Sequence, residues 1–169
     1  YATDFEALTP PFDGNMVYSF HKYWNPNTQA SIQSYLSIRN RYNIPLWLGE
    51  SGENSNPWFF DCVRLMEENN IGWCWWTHKK VRTITSPLSA KLPERYERIL
   101  DYWRGNSPRP SQEAAAAGLM DLAENLKIDR CEERPGVLKA LFSPQFGMSP
   151  RPFARHTLPG KVPAEDYDF

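Results

Sequence analysis

Apolar and polar positions along the chain change period several times, and each change marks an element. Met16-Val-Tyr-Ser-Phe20 is a short apolar run that ends on His21-Lys-Tyr23-Trp24 and is broken by Asn25-Pro26-Asn27. A run of that length followed by turn residues reads as a strand. From Thr28 to Tyr42 the period becomes helical, with Ile32, Tyr35 and Leu36 on one face. A second apolar run, Ile44-Pro-Leu-Trp-Leu-Gly-Glu50, lies between Asn43 and Gly52 and predicts a buried strand over Pro45–Glu50. Ser55-Asn-Pro57 is a helix start, a capping residue before a first-turn proline. Phe59, Cys62, Val63 and Met66 supply that helix's apolar stripe, and Asn69-Asn70 closes it. Ile71-Gly-Trp-Cys-Trp-Trp76 is a third apolar run, rich in β-favouring aromatics, and it ends on Thr77-His78-Lys79-Lys80. Pro93 opens a further helix, with Tyr96, Ile99, Leu100 and Trp103 on one stripe.

The resulting order is strand, helix, strand, helix, strand, helix. The spacing of the strand starts, Met16, Pro45 and Ile71, fits consecutive βα units in a parallel sheet with strands buried on both faces. Three such units do not close a barrel, so a barrel would require earlier strands outside this sequence. After Gly105 the character changes. Asn106-Ser-Pro-Arg-Pro110 is a break, Ser111 to Lys127 is helical, and a shorter helix is predicted from Pro135 to Phe142. Prolines 144, 150, 152, 159 and 163 mark an irregular linker, and Ala164 to Tyr167 has the composition of a strand start.

Composition narrows the classes. Lys and Arg number 19 against 20 Asp and Glu, a net charge of −1, which argues against a nucleic-acid partner. No apolar run is long enough to span a bilayer. Cys62, Cys74 and Cys131 form no CxxC pair, and their odd number gives no disulfide framework. The chain starts at Tyr1 without an initiator Met or a signal peptide, as a piece of a longer protein would.

The candidate chemistry lies at the strand ends. In a parallel sheet these ends converge, bringing together His21 and Tyr23, then Glu50, then Trp76, Thr77 and His78. His21 and Tyr23 are two residues apart on a strand and share a side. Beside a carboxylate they can hydrogen-bond it, hold it ionised and orient it. A carboxylate closing an apolar strand is costly without partners. On its own, Glu50 reads more readily as a solvated loop residue.

Tyr18-Ser-Phe-His21-Lys-Tyr23, Leu48-Gly-Glu50-Ser-Gly52 and Gly72-Trp-Cys-Trp-Trp76, in this order and spacing, resemble the last three strands of glycoside hydrolase family 5. That family comprises retaining (β/α)8-barrel enzymes acting mostly on β-glucans and β-mannans, and the likeness covers residues 10–104. The resemblance implies an α/β fold, the part of a TIM barrel spanning strands six to eight, followed by a helical linker region. It implies a cellulase-like endo-β-glucanase that cleaves a polysaccharide or oligosaccharide by double displacement. Glu50 would be the nucleophile, with His21 and Tyr23 as the His-x-Tyr pair beside it. Trp76 would floor the sugar subsite, with Trp24, His78 and Lys79 as further substrate-binding residues, and Trp75 would point away from the pocket. Glu53 reads as a rim carboxylate and Cys74 as a packing residue.

A retaining glycosidase needs two carboxyl groups roughly 5 Å apart and no cofactor. In the family the second, the acid/base, follows an Asn at the end of strand four. This chain has no Asn-Glu dipeptide, so it is expected to be inactive by itself. Leu158-Pro-Gly-Lys-Val-Pro-Ala-Glu165-Asp-Tyr-Asp168 resembles the first strand of a family 6 carbohydrate-binding module, in which Glu165 would help hold a structural calcium. Pro163 stands where that family usually has Glu or Gln. The implied organisation is a barrel part over 1–105, a helical extension over 106–142, a linker over 143–157 and the start of a β-sandwich over 158–169. A secreted monomer fits that organisation. A β-mannanase, an exo-β-glucosidase of the same clan, or a non-catalytic carbohydrate-binding barrel remain alternative readings, and a non-glycosidase barrel stands behind them.

Overall fold

The structure, a computed structural model, describes residues 7–147, 157 and 159–161. Contacts divide the chain into two units, Tyr1–Cys74 with Gly136–Phe169, and Trp75–Pro135.

The first unit is built on a three-stranded parallel sheet. Its strands β1 (Tyr18–Lys22), β2 (Leu46–Ser51) and β3 (Gly72–Trp73) follow chain order. Helix α1 (Gln33–Tyr42), entered through a 3-10 turn at Gln29–Ile32, connects β1 to β2. It ends on Asn43 in the left-handed region (φ 51°), where Asn is tolerated and the amide can bond back to the Arg39 carbonyl. Helix α2 (Asn56–Glu68) connects β2 to β3; Ser55 caps it, accepting the Trp58 amide, and Pro57 sits in its first turn. Phe59, Cys62, Val63 and Met66 of α2 are buried with Phe20, Leu46 and Leu48 of the sheet. Phe20 stacks on Tyr35 of α1, centroids 4.0 Å apart. Helix α5 (Pro135–Phe142) buries Val137, Ala140 and Leu141, and its Phe142 ring meets Trp73 at 5.9 Å.

Two expectations are corrected here. The strands are not buried on both faces: in β2, Leu46 and Leu48 are buried while Trp47 between them is 40% exposed. Trp47 instead covers the outer side of Gly72, whose missing Cβ would lie 2.3 Å from the indole ring. The third strand pairs over two residues only, and Cys74, beyond its end, is exposed rather than packed.

The second unit holds a sheet that hydrophobic periodicity does not announce. Its strands are β4 (Lys79–Val81), β5 (Leu88–Ala90) and β6 (Glu132–Glu133), with β4 parallel and β6 antiparallel to β5. Helices α3 (Glu94–Trp103) and α4 (Gln112–Asn125) pack on each other at Gly118, where a Cβ would lie 3.0 Å from the Arg95 carbonyl. The boundary expected near residue 105 falls between these two helices, whereas the contacts keep them in one unit. The strand start expected at 164–167 lies outside the described residues.

Candidate active site

The site grows out of the pairing of β1 with β2. Tyr18, Ser19 and Phe20 oppose Leu46, Trp47 and Leu48, and then the register shifts so that His21 opposes Glu50. Gly49 is the extra residue of this bulge. A Cβ there would lie 2.2 Å from the Ser19 hydroxyl, which would have to turn away, and 3.6 Å from the His21 ring. Alternation along β1 buries Phe20 and Lys22 and leaves His21 on the other side, with Tyr23 following it.

Tyr23 donates its hydroxyl to Glu50 Oε1 at 2.7 Å. His21 Nδ1 lies 3.9 Å from the same oxygen, too far for a hydrogen bond but near enough to feel its charge. The Glu50 side chain is 32% exposed and that of His21 58%, so the carboxylate is sheltered yet open to solvent on one side. Burial first, then the bond to Glu50 and the charges of Glu50 and Glu53, push the Tyr23 phenol well above the usual tyrosine range. The phenol therefore keeps its proton at neutral pH and donates it to Glu50, which orients the carboxylate. Two non-glycine residues in the left-handed region flank the pair, Trp24 at φ 59° and Glu53 at φ 53°. Backbone held this way collects at functional sites.

Of the residues singled out in the sequence, the structure thus brings His21, Tyr23 and Glu50 together. Trp24 adjoins them along the chain and is 66% exposed. Trp76, His78 and Lys79 belong to the second unit. There Trp76 is 48% exposed and His78 is exposed. Lys79 lies in β4 and donates its ammonium to the Leu126 carbonyl at the end of α4. That cation completes an orphan helix carbonyl. Glu165 lies outside the described residues.

Sequence reasoning passed over two neighbours of the site. Cys74 gives its thiol to the Gly49 carbonyl and contributes to the field on Tyr23. Lys22, between His21 and Tyr23, is 2% exposed. Its signal was available: the alternation that puts His21 and Tyr23 on one side puts Lys22 on the core side. Among the described residues no group of three or more His, Cys, Asp or Glu is placed to hold a metal ion, and no helix is long and apolar enough to cross a membrane. No family model, curated protein or solved structure matches the chain.

Proposed function

We propose that this chain carries the nucleophile of a retaining glycoside hydrolase acting on β-linked polysaccharide, and that the nucleophile is Glu50. The observation that supports this most strongly is the Tyr23 hydroxyl on Glu50 Oε1 at 2.7 Å, at adjacent ends of parallel strands. The chemistry needs a carboxylate that is ionised, aimed and only partly solvated. Glu50 has the Tyr23 hydroxyl on Oε1 and an imidazole 3.9 Å from the same oxygen. With Oε1 held by Tyr23, Oε2 is the oxygen to present to an anomeric carbon.

In the first displacement a Glu50 oxygen bonds to the anomeric carbon while the glycosidic oxygen departs with a proton from the acid/base. The product is a glycosyl ester on Glu50. In the second, water gives a proton to the same acid/base and attacks the anomeric carbon, releasing Glu50 as a carboxylate. The negative charge on Glu50 disappears as the ester forms and returns as it breaks, and the Tyr23 bond is strongest in the charged states. The acid/base is a residue outside this sequence, as the missing Asn-Glu pair requires. The barrel architecture, the endo-acting β-glucanase activity, the secreted location and the sugar-stacking role of Trp76 belong to the same proposal.

A slow substrate tests it. A 2-deoxy-2-fluoro β-glycoside with a good leaving group forms the ester faster than water removes it. In the full-length protein, mass spectrometry of the digested adduct is expected to find the sugar on Glu50. A sugar on another carboxylate, or continued turnover of substrate with no adduct, would contradict the assignment.

A further inference from the structure

The residue between His21 and Tyr23 has a task of its own. Lys22 points to the core side of β1 and is 2% exposed. An ammonium has three protons to give, and here each has an acceptor: Asn25 O at 3.1 Å, Asn25 Oδ1 at 2.8 Å and Pro26 O at 3.0 Å. All three oxygens belong to the turn that begins at Tyr23. The ammonium also lies 5.1 Å from the centre of the Trp58 ring, in the first turn of α2. Burial brings its pKa down to about 8, so it remains mainly protonated at neutral pH and keeps its three bonds.

Trp58 closes the clamp from the other side. Its indole N–H donates to Asn25 O at 3.0 Å, and its own carbonyl accepts Asn27 Nδ2 at 2.9 Å. Inside the turn, the Asn25 amide bonds back to Tyr23 O at 2.6 Å and Trp24 is held at φ 59°. An aromatic residue in that region needs fixed points on both sides to remain there. The fixed points are Lys22 before it and Asn25 after it.

We infer that Lys22 is a positioning residue: from the far side of β1 it anchors the 23–26 turn and so holds the Tyr23 hydroxyl on the Glu50 carboxylate. Its consequence for turnover rests on the proposed glycosidase reading; its consequence for Tyr23 does not. A lysine serving only to fill the core would be replaced by a methionine of similar length without effect on Tyr23.

The test is Lys22→Met in the full-length protein, with tyrosines labelled at Cζ and followed by NMR at pH 7, where Lys22 of the wild type is mainly protonated. The Tyr23 signal is assigned by its loss in Tyr23→Phe. In Lys22→Met that signal is expected to move toward the position of a solvent-exposed tyrosine, and kcat on the best β-glycan substrate to fall on the order of 100-fold, with KM little changed. A folded Lys22→Met whose Tyr23 signal stays at the wild-type position overturns the inference. Should Lys22→Met not fold, Asn25→Ala removes one acceptor from an exposed residue. It is expected to move the Tyr23 signal the same way by less, and an unmoved signal again overturns the inference. A Tyr23 signal that moves in Lys22→Met while Glu50→Gln hydrolyses as well as wild type keeps the positioning role and removes Glu50 from the chemistry. An unmoved signal with an essential Glu50 does the reverse.

Discussion

Lys22 and Tyr23 are neighbours whose protons are displaced in opposite directions by one cause, removal from water. Burial favours the neutral form of each, so it lowers the lysine and raises the tyrosine. The lysine makes a prediction about stability. Its folded value is about 8 against 10.5 for an ordinary lysine, so between those values the unfolded chain binds more protons than the folded one. Stability from this group therefore rises as pH rises through that window, and below it the full cost of burying the charge is felt. Cys62 on α2, which faces Lys22, has its thiol pushed up by burial and opposes the trend from the ordinary thiol value of 9.0 upward. The lysine's part is therefore the difference between wild type and Lys22→Met in urea midpoints at pH 7, 8 and 9.5. The wild type is expected to gain on the variant as pH rises, and a difference independent of pH would contradict the burial argument.

Elements were legible where their side chains bury a stripe, and illegible where hydrogen bonding or a single close approach decides. The helices announced by apolar spacing are present, and Ser55-Asn-Pro57 starts α2 as its capping chemistry dictates. The sheet β4–β5–β6 was not readable because its strands have two or three residues each and Lys79-Lys-Val81 and Glu132-Glu133 show no alternation that a core imposes. The third apolar run promised six strand residues and delivers two, since apolar aromatics signal burial more than pairing. The pairing of α3 with α4 turns on Gly118, which sequence alone presents as a weak point in a helix. A side chain there must displace the Arg95 backbone or Ile99, both 3.0 Å from the position of its Cβ. Gly118→Leu is accordingly expected to cost about 1–3 kcal/mol in denaturant unfolding. A neutral or stabilising result would mean that the helices part without loss.

For the whole molecule, the juxtaposition of three side chains was easier to read from the sequence than the assembly. His21, Tyr23 and Glu50 were recognisable because strand alternation and parallel pairing bring them together wherever β1 and β2 pair, and the one-residue bulge at Gly49 sets His21 opposite Glu50. The bond of Lys79 to the end of α4 was not legible, because a lysine after a strand looks solvated until the helix end it completes is seen. Division into two units was hidden because it runs between Cys74 and Trp75, inside one continuous aromatic run. Everything beyond the carboxylate and its two partners depends on whether Glu50 reacts. That is read most directly by hydrolysis of soluble β-glucans and β-mannans by the full-length protein, wild type beside Glu50→Gln. Glutamine keeps the size and the bond to Tyr23 and loses the nucleophile, so activity is expected to fall by several orders of magnitude on whichever polymer the wild type cleaves. Equal hydrolysis by both proteins would remove Glu50 from the chemistry and contradict the proposed function.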